Sequence, residues 1–252
     1  MSDTLVISTR KGLFTVSRKA GQWEITGADF LGDNVSITLT DRRDGRHYAA
    51  LDHGHFGVKL HRSTATGWEE ITAPTYPPKP DGYEEYDMWS RPLNWSTARI
   101  WALQAGGPDE PGVIWCGTLP GGLFRSTDHG RSWEMIRALW DHPKRKQWMG
   151  GGADLPGIHS ICIDPRNSRR VWVAVSRSGL PFGNAHGSMA QRFADLTFEV
   201  SNTGFAGVML DDIAKRFFRN LDLPGLNSVC LHLPRHQIAA SNLEFFVGGV
   251  PS

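Results

Sequence analysis

Four arginines lie in stretches rich in turn residues: Arg10, Arg91, Arg99 and Arg145. Arginines gathered at one place clamp a carboxylate well, because the planar guanidinium donates two parallel hydrogen bonds. Asp52, His53 and His55, with His142 and His159, offer donor types that suit zinc or iron. No two of these histidines have the H-x-x-x-H spacing of a ligand pair. The expectation is therefore no metal, and turn histidines that face solvent. Trp89, Trp95, Trp140 and Trp148 can stack on sugar rings through their apolar faces. The plainer alternative is that they pin down their own loops. Gly150-Gly151-Gly152 lacks the lysine and the preceding strand of a phosphate-cradling loop, so no cofactor is expected.

The elements that would carry these groups follow from composition. The chain has 252 residues, with 27 Lys+Arg against 26 Asp+Glu and a net charge of +1. A balanced charge gives no electrostatic reason to expect nucleic acid or an anionic membrane as partner. The sequence contains 28 Gly and 15 Pro. Many turns between short apolar runs indicate β structure. Cys116, Cys162 and Cys230 are widely spaced and odd in number, so they form no disulfide framework and no zinc site. They are expected to be buried thiols. With no apolar run of membrane-spanning length and no signal-peptide layout at Met1-Ser2-Asp3-Thr4, the expected location is cytoplasmic.

A repeat organises the first 180 residues. Residues 35–71 and 98–136 share one pattern. An apolar strand is followed by a polar turn, a second strand, a Gly-containing turn, a third strand ending in Arg-Ser-Thr, and a Gly–Trp turn into a short fourth strand. A third copy begins at His159, and a copy lacking its first strand opens the chain. Trp23, Trp68 and Trp133 close three of the copies. Four short antiparallel strands in about 40–50 residues are the unit of a β-propeller blade. The expected fold is all-β: a partial β-propeller of about three to four four-stranded blades.

The sharpest motif is Ser126-Thr127-Asp128-His129-Gly130-Arg131-Ser132-Trp133, which fits S-x-D-x-G-x-x-W. Ser126 and Asp128 can bond the turn backbone, Gly130 can take a positive φ, and Trp133 can pack back onto the blade. On this motif and the strand pattern, residues 4–180 resemble the Asp-box (BNR) propellers of the sialidase-like and sortilin-like group. Within it they resemble bacterial proteins labelled exo-α-sialidase or glycosyl hydrolase. The motif is a structural turn and says little about activity. The second copy has a shortened turn without Asp, Ser63–Trp68, and the third aligns it with 183–187, where both Asp and Trp are missing.

In a propeller, the loops joining strands two and three share one face with the loops joining consecutive blades. That rule gathers Arg10, Asp52, His53, His55, Tyr86, Asp87, Arg99, Asp141, His142 and His159 on one face as candidate ligand-binding residues. Two long insertions, residues 73–97 and 138–158, lie on it as well, and long loops on a rigid scaffold are where function concentrates. The resemblance implies an arginine clamp, a Tyr nucleophile activated by Glu, and an Asp acid/base. Arg10, Arg91, Arg99 and Arg145 supply the first inventory. Tyr83 or Tyr86 with Glu84 or Glu85 supply the second, and Asp52 or Asp87 the third. The family's catalytic motif is not recognisable at any of them, so no catalytic residue is assigned.

Residues 181–252 do not read as further blades. Ala206–Asn220 has apolar residues at helical spacing, and Asn242–Val250 is a short apolar run. The expected division is blades over 1–180 and an atypical tail over 181–252. The tail is expected to be either a natural cap or the product of a truncation or frame change near Arg177–Phe182. Three functional readings follow. The first is a binding propeller holding a glycan, a small acidic ligand or a protein without turnover. The second is a glycosidase of exo-α-sialidase type. The third is a chain with no activity.

Overall fold

The computed structural model describes residues 4–87, 89–148 and 153–176, and beyond them the backbone of four strands within 188–248. Blade I has three strands: β1 (Thr4–Thr9), β2 (Gly12–Lys19) and β3 (Gln22–Asp29). Blade II has four: β4 (Val35–Thr40), β5 (His47–Asp52), β6 (Val58–Thr64) and β7 (Gly67–Ile71). Blade III has β8 (Arg99–Ala105), β9 (Ile114–Leu119), β10 (Leu123–Ser126) and β11 (Glu134–Met135). A short helix, α1 (Arg137–Trp140), follows. Each of these sheets is an antiparallel meander in chain order. The chain is thus all-β, a partial β-propeller, as the repeat predicts.

The fourth sheet departs from the blade plan. β12 (Ile158–Asp164) pairs antiparallel with β13 (Asn167–Ser176). β14 (Ser188–Phe193) and β15 (Leu196–Thr203) then form a hairpin whose second strand lies parallel to β13. In the first three sheets no described pair is parallel, since a meander joined by short turns reverses direction at every turn. The last two strands, β16 (Ser228–Cys230) and β17 (Phe246–Gly248), pair with each other, and β17 lies against β1. The apolar run Asn242–Val250 therefore contains a strand. The helical spacing at 206–220 and the aligned turn at 183–187 lie outside the described residues.

Packing occurs between blades, not within them. Leu13 of β2 meets Val35, Ala49 and Leu51 of blade II. The opposite face of blade II, with Ile37, Tyr48, Ala50 and Leu60, meets Ile100, Ile114, Cys116 and Phe124 of blade III. The far face of blade III, with Ala102, Trp115 and Leu123, meets Ile158, Ile161, Val171 and Val173 of the fourth sheet. Strand alternation makes this possible, since successive residues serve successive interfaces. The approach is close where β9 meets β12. A Cβ on Gly117 would stand 2.6 Å from the Ile158 carbonyl oxygen.

Alternation also corrects the expectation for the cysteines. Cys116 is buried, but Cys162 is exposed, because Ile161 and Ile163 take the inward positions of β12. Cys230 has no described side chain.

The Asp-box turn closes as its residue types require. Ser126 Oγ donates to Asp128 Oδ1 at 2.7 Å and accepts the Gly130 N–H at 2.8 Å. Asp128 accepts the Ser132 N–H at 2.9 Å and the Ser132 hydroxyl at 2.6 Å. Partial burial pushes the Asp128 carboxyl up, but the hydrogen bonds from Ser132, Ser126 and the Arg131 backbone outweigh it and lower it to about 2. Gly130 sits at φ 81°, where a Cβ would meet Ile71 Cδ1 at 2.7 Å. Trp133 donates Nε1–H to the Thr72 carbonyl at 2.8 Å, so the turn fastens blade III to blade II.

Candidate functional site

Several contacts tie the loops between strands two and three to the loops between blades. The β1–β2 turn is tied to the loop between blades I and II, with the Gly32 N–H bonded to the Lys11 carbonyl at 3.1 Å. At the end of β5, Asp52 accepts Arg99 Nε and Nη2 at 3.0 and 2.7 Å, bridging blades II and III. Arg91 reaches Asp154, in the loop before β12, at 3.5 Å. The Gly121 N–H donates to the Pro156 carbonyl at 2.8 Å, joining the β9–β10 turn to that same loop.

A buried ion pair fastens the two insertions together. Arg145 Nη1 lies 2.8 Å from Glu85 Oε1, and Nη2 donates to Oε2 at 3.0 Å. Both side chains are buried. The remaining polar capacity is used: Trp95 Nε1–H donates to Glu85 Oε2 at 3.1 Å, and Arg145 Nε donates to the Trp140 carbonyl at 2.5 Å. The guanidinium lies 3.8 Å from the centre of the Trp140 ring. An aromatic chain runs through the same place, from Tyr83 to Trp95, Trp140, Tyr76 and Phe124, with ring centres 4.9 to 5.4 Å apart. Tyr76 plugs the β9–β10 turn. Its hydroxyl meets Thr118 Oγ1 at 2.6 Å, donates to the Pro120 carbonyl and accepts the Gly122 N–H at 2.9 Å. Burial raises the Tyr76 phenol strongly.

This arrangement sorts the candidates. Among the clamp arginines, Arg145 is bound to Glu85, Arg99 to Asp52, and Arg91 to Asp87 at 2.7 Å as well as to Asp154. Arg10 is exposed and has no ion pair among the described residues. Arg91, Arg99 and Arg145 are therefore each held by a carboxylate of their own, and Arg10 is not. Tyr86 Oη donates to Glu84 Oε2 at 3.0 Å, and that hydrogen bond and the Glu84 charge raise the phenol. Tyr83 instead packs on Trp95, and Glu85 is spent on Arg145.

The histidines do not gather. His53 Nε2 is 4.0 Å from Asp33, His55 packs edge-on against Phe56, and His159 Nδ1 lies 2.9 Å from Ser160 Oγ. His142 is half-buried after α1, where its carbonyl accepts the Arg145 N–H at 2.9 Å. Asp141 pairs with Arg137 across one helical turn at 2.9 Å. Among the described residues, no three His, Cys, Asp or Glu side chains form a metal-sized group. Of the four tryptophans, Trp95 and Trp140 pin the loops and Trp148 packs against Gly121. Trp89 alone of the four is exposed.

Sequence reasoning missed two kinds of residue. Tyr76 organises the face from beneath, and its only sequence signal is an aromatic in a Pro-rich loop, Pro74–Pro78. Leu31 and Phe56 are 68% and 81% exposed on loops of the same face, beside Tyr86 at 53% and Trp89 at 61%. An apolar residue inside a polar turn, as in Gly54-His55-Phe56-Gly57, was the available clue.

No family model matches the chain, and no curated protein matches it. Among solved structures, one described as YCF48 bound to D1 peptide overlaps with a TM-score of 0.31 and 11% identity, over 54% of this chain. The overlap spans 40% of that chain's length. A likeness this loose adds nothing to the reading of the site. Among the described residues, no helix is long and apolar enough to cross a membrane.

Proposed function

We propose that the chain is an interaction propeller whose loop face binds a protein partner without turnover. The observation that carries this reading is where its exposed apolar residues lie. Among the described residues six large apolar side chains are exposed, and four of them, Leu31, Phe56, Tyr86 and Trp89, stand on loops of this one face. Exposed aromatics held on a rigid base resemble the anchors that dominate protein interfaces. The Arg145–Glu85 pair and the aromatic chain supply that base, so little loop entropy is lost on binding.

A glycosidase of exo-α-sialidase type is the second reading, supported by the Tyr86–Glu84 hydrogen bond. Against it, three of the four candidate arginines are already neutralised within the chain. The test immobilises the full chain, exposes it to extract of its host and identifies what is retained by mass spectrometry. Phe56→Ser and Trp89→Ser should each weaken retention of a specific protein by roughly tenfold, as expected for interface anchors. Thr66→Ala, on the β6–β7 turn, should leave it unchanged. Retention indifferent to both loop-face variants, or release of sialic acid from a fluorogenic sialoside, overturns the proposal.

A further inference from the structure

Two ammonium groups share one aromatic ring where the insertions meet. Lys79 Nζ, from insertion 73–97, lies 5.9 Å from the centre of the Tyr83 ring. Lys146 Nζ, from insertion 138–158, lies 4.8 Å from the same centre. Both lysines stand on fixed ground. Lys79 Nζ donates to the Leu93 carbonyl at 3.2 Å. Lys146 follows Arg145, whose guanidinium is bound to Glu85. Tyr83 packs edge-on against Trp95, and its N–H closes a turn onto the Pro80 carbonyl at 3.0 Å.

Like charges brought to one place call for a counter-charge. The face of the ring supplies part of it. The neighbouring carboxylates do not supply the rest. Glu85 is bound to Arg145, Asp87 and Asp154 to Arg91, and Asp141 to Arg137. Glu84 accepts the Tyr86 hydroxyl, and Asp81 is exposed and pairs with neither lysine. By contrast, Lys59 on β6 lies 2.6 Å from Glu70. Among the described residues, Lys79 and Lys146 make no ion pair, and the Tyr83 hydroxyl makes no hydrogen bond.

We infer that Lys79, Lys146 and the Tyr83 hydroxyl receive the carboxylates of an acidic segment of a protein partner. The inference rests on the interaction reading above and names the charge of what binds there. The same insertion carries Tyr86 and Trp89, 53% and 61% exposed, which supply the apolar part of the contact. Charge complementarity of this kind selects the partner and sets its register. The remaining charge suits a few carboxylates and not a phosphate backbone. The net charge is only +1, and Arg91, Arg137 and Arg145 are already neutralised.

The probe is a short dye-labelled peptide of glutamates and leucines, read by fluorescence anisotropy with the full chain. A lysine–leucine peptide of the same length is its control. The acidic peptide should bind and the basic one should not, and binding should weaken as salt rises. Lys79→Ala and Lys146→Ala should each weaken it by about threefold. Lys79→Glu with Lys146→Glu should weaken it by more than about tenfold. Lys19→Glu, on β2, should leave it unchanged. If the double reversal fails to fold, the two alanine variants decide. In the extract experiment the double reversal should release the protein that Phe56→Ser releases. If the serine variants lower retention and the double reversal does not, the interaction reading stands and this inference falls. If neither lowers it, both fall. Equal binding of the two peptides also overturns the inference. So does a single-stranded oligonucleotide that displaces the acidic peptide and binds more tightly through the same lysines.

Discussion

Trp133 and Trp23 occupy the same place in two copies of one repeat, and the structure treats them differently. Trp133 is half-buried and bonded to Thr72 of the neighbouring blade, whereas Trp23 is 48% exposed at the edge of blade I. The local sequences are alike, so the blade itself does not bury its closing tryptophan. Its neighbour does. Blade III has a described core on each face; among the described residues blade I has a core cluster on the face toward blade II, and β17 lies against its β1 strand. Stability in such an array comes from interfaces between units more than from the units. Substitutions around blade III should therefore cost more than similar ones in blade I.

The largest expected effect lies in the insertions that flank blade III. Glu85→Ala leaves the Arg145 guanidinium buried without its carboxylate. Breaking one partner of a buried pair costs about 3–5 kcal/mol. Chemical denaturation should show that loss, while Glu84→Ala one residue away, exposed, should stay within about 0.5 kcal/mol. Equal effects at the two positions would mean that the insertions are not fastened by this pair.

The frame was legible because strand alternation, Gly–Trp turns and the box at 126–133 are local signals, encoded within a few residues of one another. The one-face rule also sufficed to bring Asp52 to Arg99 from 47 positions away. What escaped was the choice of partner within the face. Arg145 and Glu85 are 60 residues apart, and nothing local distinguishes Glu85 from Glu84, which bonds Tyr86. Burial makes the distinction, through packing of both insertions against Trp95 and Trp140. The parallel pairing of β15 with β13 escaped for a similar reason, since a long-range pairing has no turn sequence to announce it.

An intermediate effect comes from two strand glycines. Gly117 in β9 faces the Ile158 carbonyl, and an added Cβ would have to displace backbone. Gly117→Ala should cost about 1–3 kcal/mol. A Cβ on Gly27 in β3 would meet only the Thr15 side chain, at 3.4 and 3.5 Å, an ordinary contact. Gly27→Ala should be neutral or stabilise by about 0.5 kcal/mol, since glycine weakens a strand. Thermal melting of the two variants side by side checks the contrast. If Gly27→Ala is as damaging as Gly117→Ala, blade I is as closely confined as blade III.

The smallest effect is the pH response of the Asp-box turn. Blade I turns through Lys19-Ala20-Gly21-Gln22 with no carboxylate, whereas blade III holds Asp128 lowered from 3.8 to about 2 by its hydrogen bonds. A carboxyl depressed in the folded state contributes stability that is fully present above its unfolded value. That stability is lost as pH falls through the folded value. The contribution of Asp128 is thus complete above about pH 4 and fades toward pH 2. Because the turn is partly exposed, Asp128→Asn should cost only about 1 kcal/mol at neutral pH. It should also flatten the fall in stability below pH 4 relative to the unaltered chain, as urea midpoints across that range would show. Lys19→Ala in the corresponding turn of blade I should leave the acid slope as it is. A slope unchanged by Asp128→Asn would mean that the acid sensitivity comes from other carboxylates, and that the turn holds its shape with or without a charge.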